Sequence, residues 1–171
     1  MEANTKQYRV IKNTPLGHLL ACAEIDQDSG AGVITQLDFL AQGNLEQALA
    51  AEEPQQSAVL TQLENELKAY FSGTLKAFSV PLAPAGTSFQ RNVWAALERI
   101  PYGETWSYKQ LAEAVNKPKG YQAVGQANGR NPIVIVIPCH RVIAANGSLG
   151  GYTGGTGIKQ TLLNLEEASC R

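Results

Sequence analysis

At Cys139, His140 and Arg141 a thiol, an imidazole and a guanidinium stand consecutively, directly after Pro138. A free cysteine often packs as a small hydrophobe, and a hydrated Arg and an ionisable His are poor company for that role. They suit a thiol that must become a thiolate, because nearby positive charge or a base favours the ionised form. Cys139 is therefore read as a nucleophile. Cys22, between Ala21 and Ala23, reads as structural, and Cys170, beside Arg171 at the chain end, as incidental.

The elements that must position this group follow from the flanking pattern. Five consecutive β-branched residues, 133–137, lie between Pro132 and Pro138 and predict a short strand buried on both faces, ending at the reactive side chains. Successive side chains of an extended chain point to opposite faces, so Cys139 and His140 would need a bridging water. Upstream, Thr87 or Ser88 can cap a helix carrying Phe89, Val93, Trp94 and Leu97, running to Arg99 and stopped by Pro101 and Gly103. Ser107 caps a second helix to Asn116. After the turn 117–120 comes a short segment, 121–128, and the two together suggest a helix-turn-helix.

Such helix pairs also occur in proteins with no nucleic-acid role. Here Ala123, Gly125, Ala127 and Gly129 make a helix that reads few base edges yet lets its backbone approach a narrow groove. With Lys117, Lys119 and Arg130 for phosphates, the partner expected is double-stranded DNA, bound through the minor groove with little sequence preference. Beyond the nucleophile, Asn146 and Gly147 are a hairpin signal, and the glycines of 147–155 make a loop that is either a plain surface turn or a cover for a flat ring. The last helix, 157–168, carries Ile158, Leu162, Leu163 and Leu165 and presents Glu166.

Pro138-Cys139-His140-Arg141 on a run of Ile and Val, with Asn131-Pro132 before it, resembles the active-site signature of the O6-alkylguanine-DNA alkyltransferases. The resemblance extends over GETWSYKQLA at 103–112 and QAVGQANGRNP at 122–132, and spans about 84–167. It implies a stoichiometric, irreversible transfer of an alkyl group, methyl first, from an O6-alkylguanine flipped out of the duplex to Cys139, and leaves open whether O4-alkylthymine is also a substrate. Glu166 would orient His140, His140 would polarise a water that takes the thiol proton, and Asn131 would be the hinge. Tyr108 would contact the phosphate at the target nucleotide and donate to the departing purine; Tyr152, Thr153 and the backbone at Val142 and Gly150 would border the base. Gln122, Ala123, Gln126, Ala127, Asn128 and Arg130 would face DNA. One position departs: Gln122 stands where the family usually has an arginine filling the gap left by the extruded base, and Gln lacks that charge and planar surface.

The resemblance further implies an α+β fold: a small N-terminal domain of ribonuclease H-like type, and a mostly helical C-terminal domain with the helix-turn-helix and the strand leading to Cys139. The N-terminal pattern agrees. Short apolar runs at 7–11, 16–24 and 33–37, broken by turn residues, predict an antiparallel meander, and Leu60, Leu63, Leu67 and Tyr70 predict one helix ending near Gly73. Composition places domains at 1–80 and 87–171 with a linker at 81–86.

The 171 residues carry a formal charge of -1, unevenly spread. Residues 1–86 hold five Lys/Arg against ten Asp/Glu and residues 87–171 nine against five, so a polyanion would meet the C-terminal half. Three cysteines without CxxC spacing and only two histidines, His18 and His140, predict no disulfide framework, no metal site and no cofactor. No apolar run approaches membrane length, and a soluble cytoplasmic protein with no obligate protein partner is expected. Three rival readings meet specific obstacles in these residues. An alkyltransferase-like protein that binds lesions without transfer would lack the cysteine; a cysteine hydrolase needs a base set squarely against the sulfur; a redox sensor needs a resolving cysteine nearby.

Overall fold

Period-two burial builds the first part of the chain. In the computed structural model, which describes residues 4–52, 57–152 and 154–170, strands β1 (Asn4–Thr14), β2 (Gly17–Asp26) and β3 (Gly32–Leu40) form one antiparallel sheet in the order β1-β2-β3. Leu19, Ala21, Ala23 and Ile25 of β2 alternate into the core. The Asp26 carboxylate accepts from the backbone N–H groups of Asp28 and Ser29, which turns the chain into β3. The strands outrun the predicted segments because the hydrogen-bonded ladder continues past the apolar residues that mark them.

Helix α1 (Leu45–Ala50) was not predicted; six residues with only Ala48 buried carry too little periodicity. Helix α2 (Ala58–Phe71) buries Val59, Leu60, Leu63, Leu67 and Tyr70, and Gly73 follows its end at φ 81°. The chain divides into compact units Met1–Pro84 and Ala85–Arg171. The first part of the stretch expected as linker is tied down within the first unit: Ile34 N–H donates to the Pro81 carbonyl (2.9 Å) and Ala83 N–H to that of Ile34 (2.8 Å).

In the second unit, α3 (Ser88–Leu97) and α4 (Tyr108–Ala114) each begin with a capping box, Thr87 with Gln90 and Ser107 with Gln110. Helix α5 (Tyr121–Gly129) is tied to α3 by Trp94 Nε1–H, which donates to the Ala127 carbonyl at 2.8 Å. Strand β4 (Trp106–Ser107) pairs in parallel with β5 (Val142–Ile143), and α6 (Thr156–Ser169) closes the unit. The turn at Asn146-Gly147 forms, with Gly147 N–H bonded to the Ala144 carbonyl, but β5 pairs with β4 and no hairpin follows it among the described residues.

The expected strand over 133–137 is absent. All five side chains are buried, but the backbone coils: Val136 N–H donates to the Val134 carbonyl (2.8 Å), Ile137 to Ile133 (3.1 Å) and Cys139 to Ile137 (2.8 Å), with Ile135 at φ 72°. Asn131 supplies what a neighbouring strand would have: its Nδ2–H donates to the Ile137 carbonyl at 2.7 Å and its Oδ1 accepts from Ile133 N–H at 2.9 Å. An apolar run reads alike as a buried strand or any other buried segment; where its polar groups find partners decides which it becomes.

Candidate active site

Cys139, His140 and Arg141 form a single 3-10 turn rather than extended chain, entirely buried. The alternation expected for their side chains therefore does not apply. His140 and Arg141 converge on one carboxylate, that of Glu166 in α6. His140 Nε2 lies 2.7 Å from Oε2, Arg141 Nε donates to Oε1 at 2.8 Å and its Nη2 to Oε2 at 3.1 Å, and Gly103 N–H adds a bond to Oε1 at 3.3 Å. Arg141 also donates through Nη1 to the Ile100 carbonyl at 2.7 Å and lies over the Tyr102 ring.

The electrostatics fix the tautomer. Burial alone would raise the Glu166 carboxyl, but the hydrogen bonds from His140 and Arg141 outweigh it and hold it at about 2. Burial pushes His140 below the ordinary imidazole value, against the opposing pull of Glu166. A neutral imidazole against an ionised carboxylate carries its proton on Nε2. Nδ1 is then a bare lone pair, buried and without a hydrogen-bond partner among the described residues.

A second buried cation was not anticipated. Lys159, fully enclosed, donates from Nζ to the carbonyls of Val142 (2.6 Å), Leu149 and Gly151 (3.3 Å), pinning the loop after Cys139 to α6. Burial lowers its ammonium group, and a thiolate at Cys139 would work the other way. Its signal was present: Lys159, Leu162 and Glu166 are spaced i, i+3, i+7, so a glutamate facing inward brings the lysine with it.

Beside this cluster lies a cavity of ≈ 840 Å³, lined by Tyr108, Tyr121, Gln122, Gly125, Gly151 and Tyr152 among others. Asn128 lines it too, and its Nδ2 is 3.5 Å from the Cys139 carbonyl. Burial, with a thiolate at Cys139 as the second cause, raises the Tyr108 phenol above its ordinary value, so it keeps its proton. Gly150, at φ 68°, passes so close that a Cβ would stand 3.0 Å from the Tyr108 hydroxyl.

Of the residues expected at DNA, Gln122, Ala123, Gln126 and Arg130 are exposed on α5 and its C-cap, whereas Ala127 and Asn128 turn inward with Val124. The 3.6-residue repeat requires this split. Val142 is wholly buried, its carbonyl already accepting from Lys159, and Asn131 is hydrogen-bonded to the run that precedes Cys139. Thr153 lies outside the described residues. Among the described residues, no group of three or more His, Cys, Asp or Glu could hold a metal ion, and no helix is long and apolar enough to cross a membrane.

Comparison with known proteins matches residues 7–84 to the ribonuclease-like domain of 6-O-methylguanine DNA methyltransferase and residues 88–168 to its DNA binding domain. The chain is 44% identical over 164 residues to the methylated-DNA–protein-cysteine methyltransferase of Methanosarcina barkeri, covering 96% of this chain and 99% of the relative. It is 45% identical over 166 residues to the constitutive enzyme of that name from Bacillus subtilis, covering 95% and 96%. Its structure resembles that of Mycobacterium tuberculosis OGT in complex with DNA, with a TM-score of 0.78 and 40% identity over 95% of this chain and 94% of the other.

Proposed function

Since the chain belongs to the 6-O-methylguanine DNA methyltransferase family, we propose that it repairs DNA by moving the alkyl group of O6-alkylguanine to its own Cys139. The observation that carries this is the buried turn that sets a cysteine beside an imidazole whose Nδ1 is bare and whose Nε2–H is held by Glu166.

The thiol proton passes through a water to His140 Nδ1, and Glu166 stabilises the imidazolium that forms. Lys159 and Arg141 are two buried cations against one buried carboxylate, and the excess positive charge favours the thiolate. The sulfur attacks the alkyl carbon, the carbon–O6 bond breaks, and its electron pair leaves on the guanine. The guanine regains a proton, the one His140 took from the thiol, returned through water, with Tyr108 donating a hydrogen bond as charge builds. A thioether has no good leaving group, so water does not regenerate the thiol and each molecule acts once.

The alkyl carbon is out of reach in a stacked duplex, so the nucleotide must be rotated out into the cavity beside Tyr108. The exposed face of α5, with Gln122, Ala123, Gln126 and Arg130, suits the minor groove and little base readout. Asn131 holds the coiled run in place and so aims the nucleophile. The protein would act on DNA in the cytoplasm.

Intact-protein mass spectrometry after incubation with a duplex containing O6-methylguanine tests it. A gain of one methyl mass, stoichiometric and absent from Cys139→Ala, is expected. Tight lesion binding without a mass change would instead establish a lesion-flagging protein.

A further inference from the structure

We propose that Tyr121 is the positioning residue that enters the base stack when the nucleotide leaves it. The inference rests on the DNA-repair reading above and concerns a side chain with no role in the chemistry at sulfur.

Rotating a nucleotide out of a duplex breaks its stacking on both sides and leaves a gap beside its former partner. A protein offsets that loss by inserting a flat or apolar side chain at the step. Gln122, exposed at the start of α5, brings hydrogen-bonding groups but no stacking surface. Tyr121, immediately before it, brings a ring. Among the described residues it is the large apolar side chain that stands exposed, at 47%.

A solitary exposed aromatic is ordinary; its position is what distinguishes this one. Tyr121 is the first residue of α5 and lines the same cavity as Tyr108, Gln122, Gly151 and Tyr152, so its ring stands at the rim of the space that would receive the base. The turn that carries it is tight: Gly120 N–H donates to the Lys117 carbonyl at 2.8 Å, and a Cβ on Gly120 would stand 3.1 Å from Lys117 Cβ. A tyrosine has few side-chain torsions to immobilise and so loses little entropy when it stacks. Tyr121 would supply the surface and Gln122 the hydrogen bonds to the unpaired base, two adjacent residues dividing the work.

Single-turnover alkyl transfer is measured from a duplex and from a single strand carrying the same O6-methylguanine, with 2-aminopurine beside the lesion reporting unstacking. Base–aromatic stacking predicts that Tyr121→Ala slows transfer from the duplex about tenfold or more and weakens the unstacking signal, while the single strand, already unpaired, changes less than about twofold. Tyr121→Phe, which keeps the ring, retains duplex transfer, and Gln122→Ala costs less than Tyr121→Ala. Wild-type duplex transfer by Tyr121→Ala, or equal slowing on both substrates, overturns the proposal. Absence of transfer by the wild-type protein would overturn the repair reading instead, and thermal melting of each variant separates misfolding from either result.

Discussion

His140 Nε2 stands 2.7 Å from Glu166 Oε2 with both side chains shut off from solvent, and Arg141 grips the same carboxylate from the other side. One carboxylate thus serves two tasks. It orients the imidazole, and it neutralises a guanidinium that could not otherwise be buried beside Cys139.

Glu166→Gln separates those tasks. Leaving Arg141 buried without its counter-ion costs about 3–5 kcal/mol of stability, and losing the oriented base slows transfer by about 10²-fold or more. Adding Arg141→Met to Glu166→Gln should recover much of the melting temperature and none of the rate. Recovery of both would show that Glu166 matters only for folding.

Acid should weaken the fold through two groups acting in the same direction. Glu166 is held at about 2 against an ordinary 4.5, so its contribution is present above 4.5 and is lost as pH falls from there towards 2. His140 is held below its ordinary 6.5, so the unfolded imidazole takes up its proton first and stability declines as pH drops below that value. The melting midpoint should therefore fall between about pH 7 and about pH 4, and transfer should fall as His140 protonates and Nδ1 ceases to accept. A midpoint that stays flat or rises on acidification would contradict the buried pair.

Lys159→Met keeps the bulk of the side chain and deletes its donors. The carbonyls of Val142, Leu149 and Gly151 lose the ammonium group that gathers them, at a cost of about 1–3 kcal/mol for each that stays buried and unpaired. Proteolysis within the loop should accelerate and transfer should slow. An unchanged cleavage pattern would show that the loop is held by other contacts.

Gly150→Ala and Gly147→Ala form a matched pair. Both glycines have positive φ, 68° and 85°, where an L side chain costs about 1–2 kcal/mol. Only Gly150 abuts the Tyr108 hydroxyl, whereas a Cβ on Gly147 meets nothing within 4 Å. Similar losses of stability are expected, with transfer reduced in Gly150→Ala alone. Equal rates would remove the Tyr108 contact from the site's requirements.

The capped helices were legible because caps and apolar spacing are local: Thr87 with Gln90 and Ser107 with Gln110 close their capping boxes within four residues. The meander was legible for the same reason. The parallel pairing of Trp106 with Val142 was not, since two-residue strands carry no periodicity and their partners lie far apart in the chain.

Residue types by themselves determined the chemistry of this protein: a thiol, an imidazole, a glutamate and an asparagine in a recognisable order, with an uncharged Gln122 in the helix-turn-helix pattern. Tertiary structure decided how they meet. The run 133–137 is coiled because Asn131 and local turns satisfy its backbone, and that coil delivers Cys139 and His140 in one tight turn instead of along an extended chain. Likewise only packing reveals that Lys159 is buried, since a cation on a helix is normally solvated unless several carbonyls converge on it. Side-chain chemistry is a property of each residue and survives in the sequence. Burial and convergence depend on segments far apart in the chain, and exist only once the chain has folded.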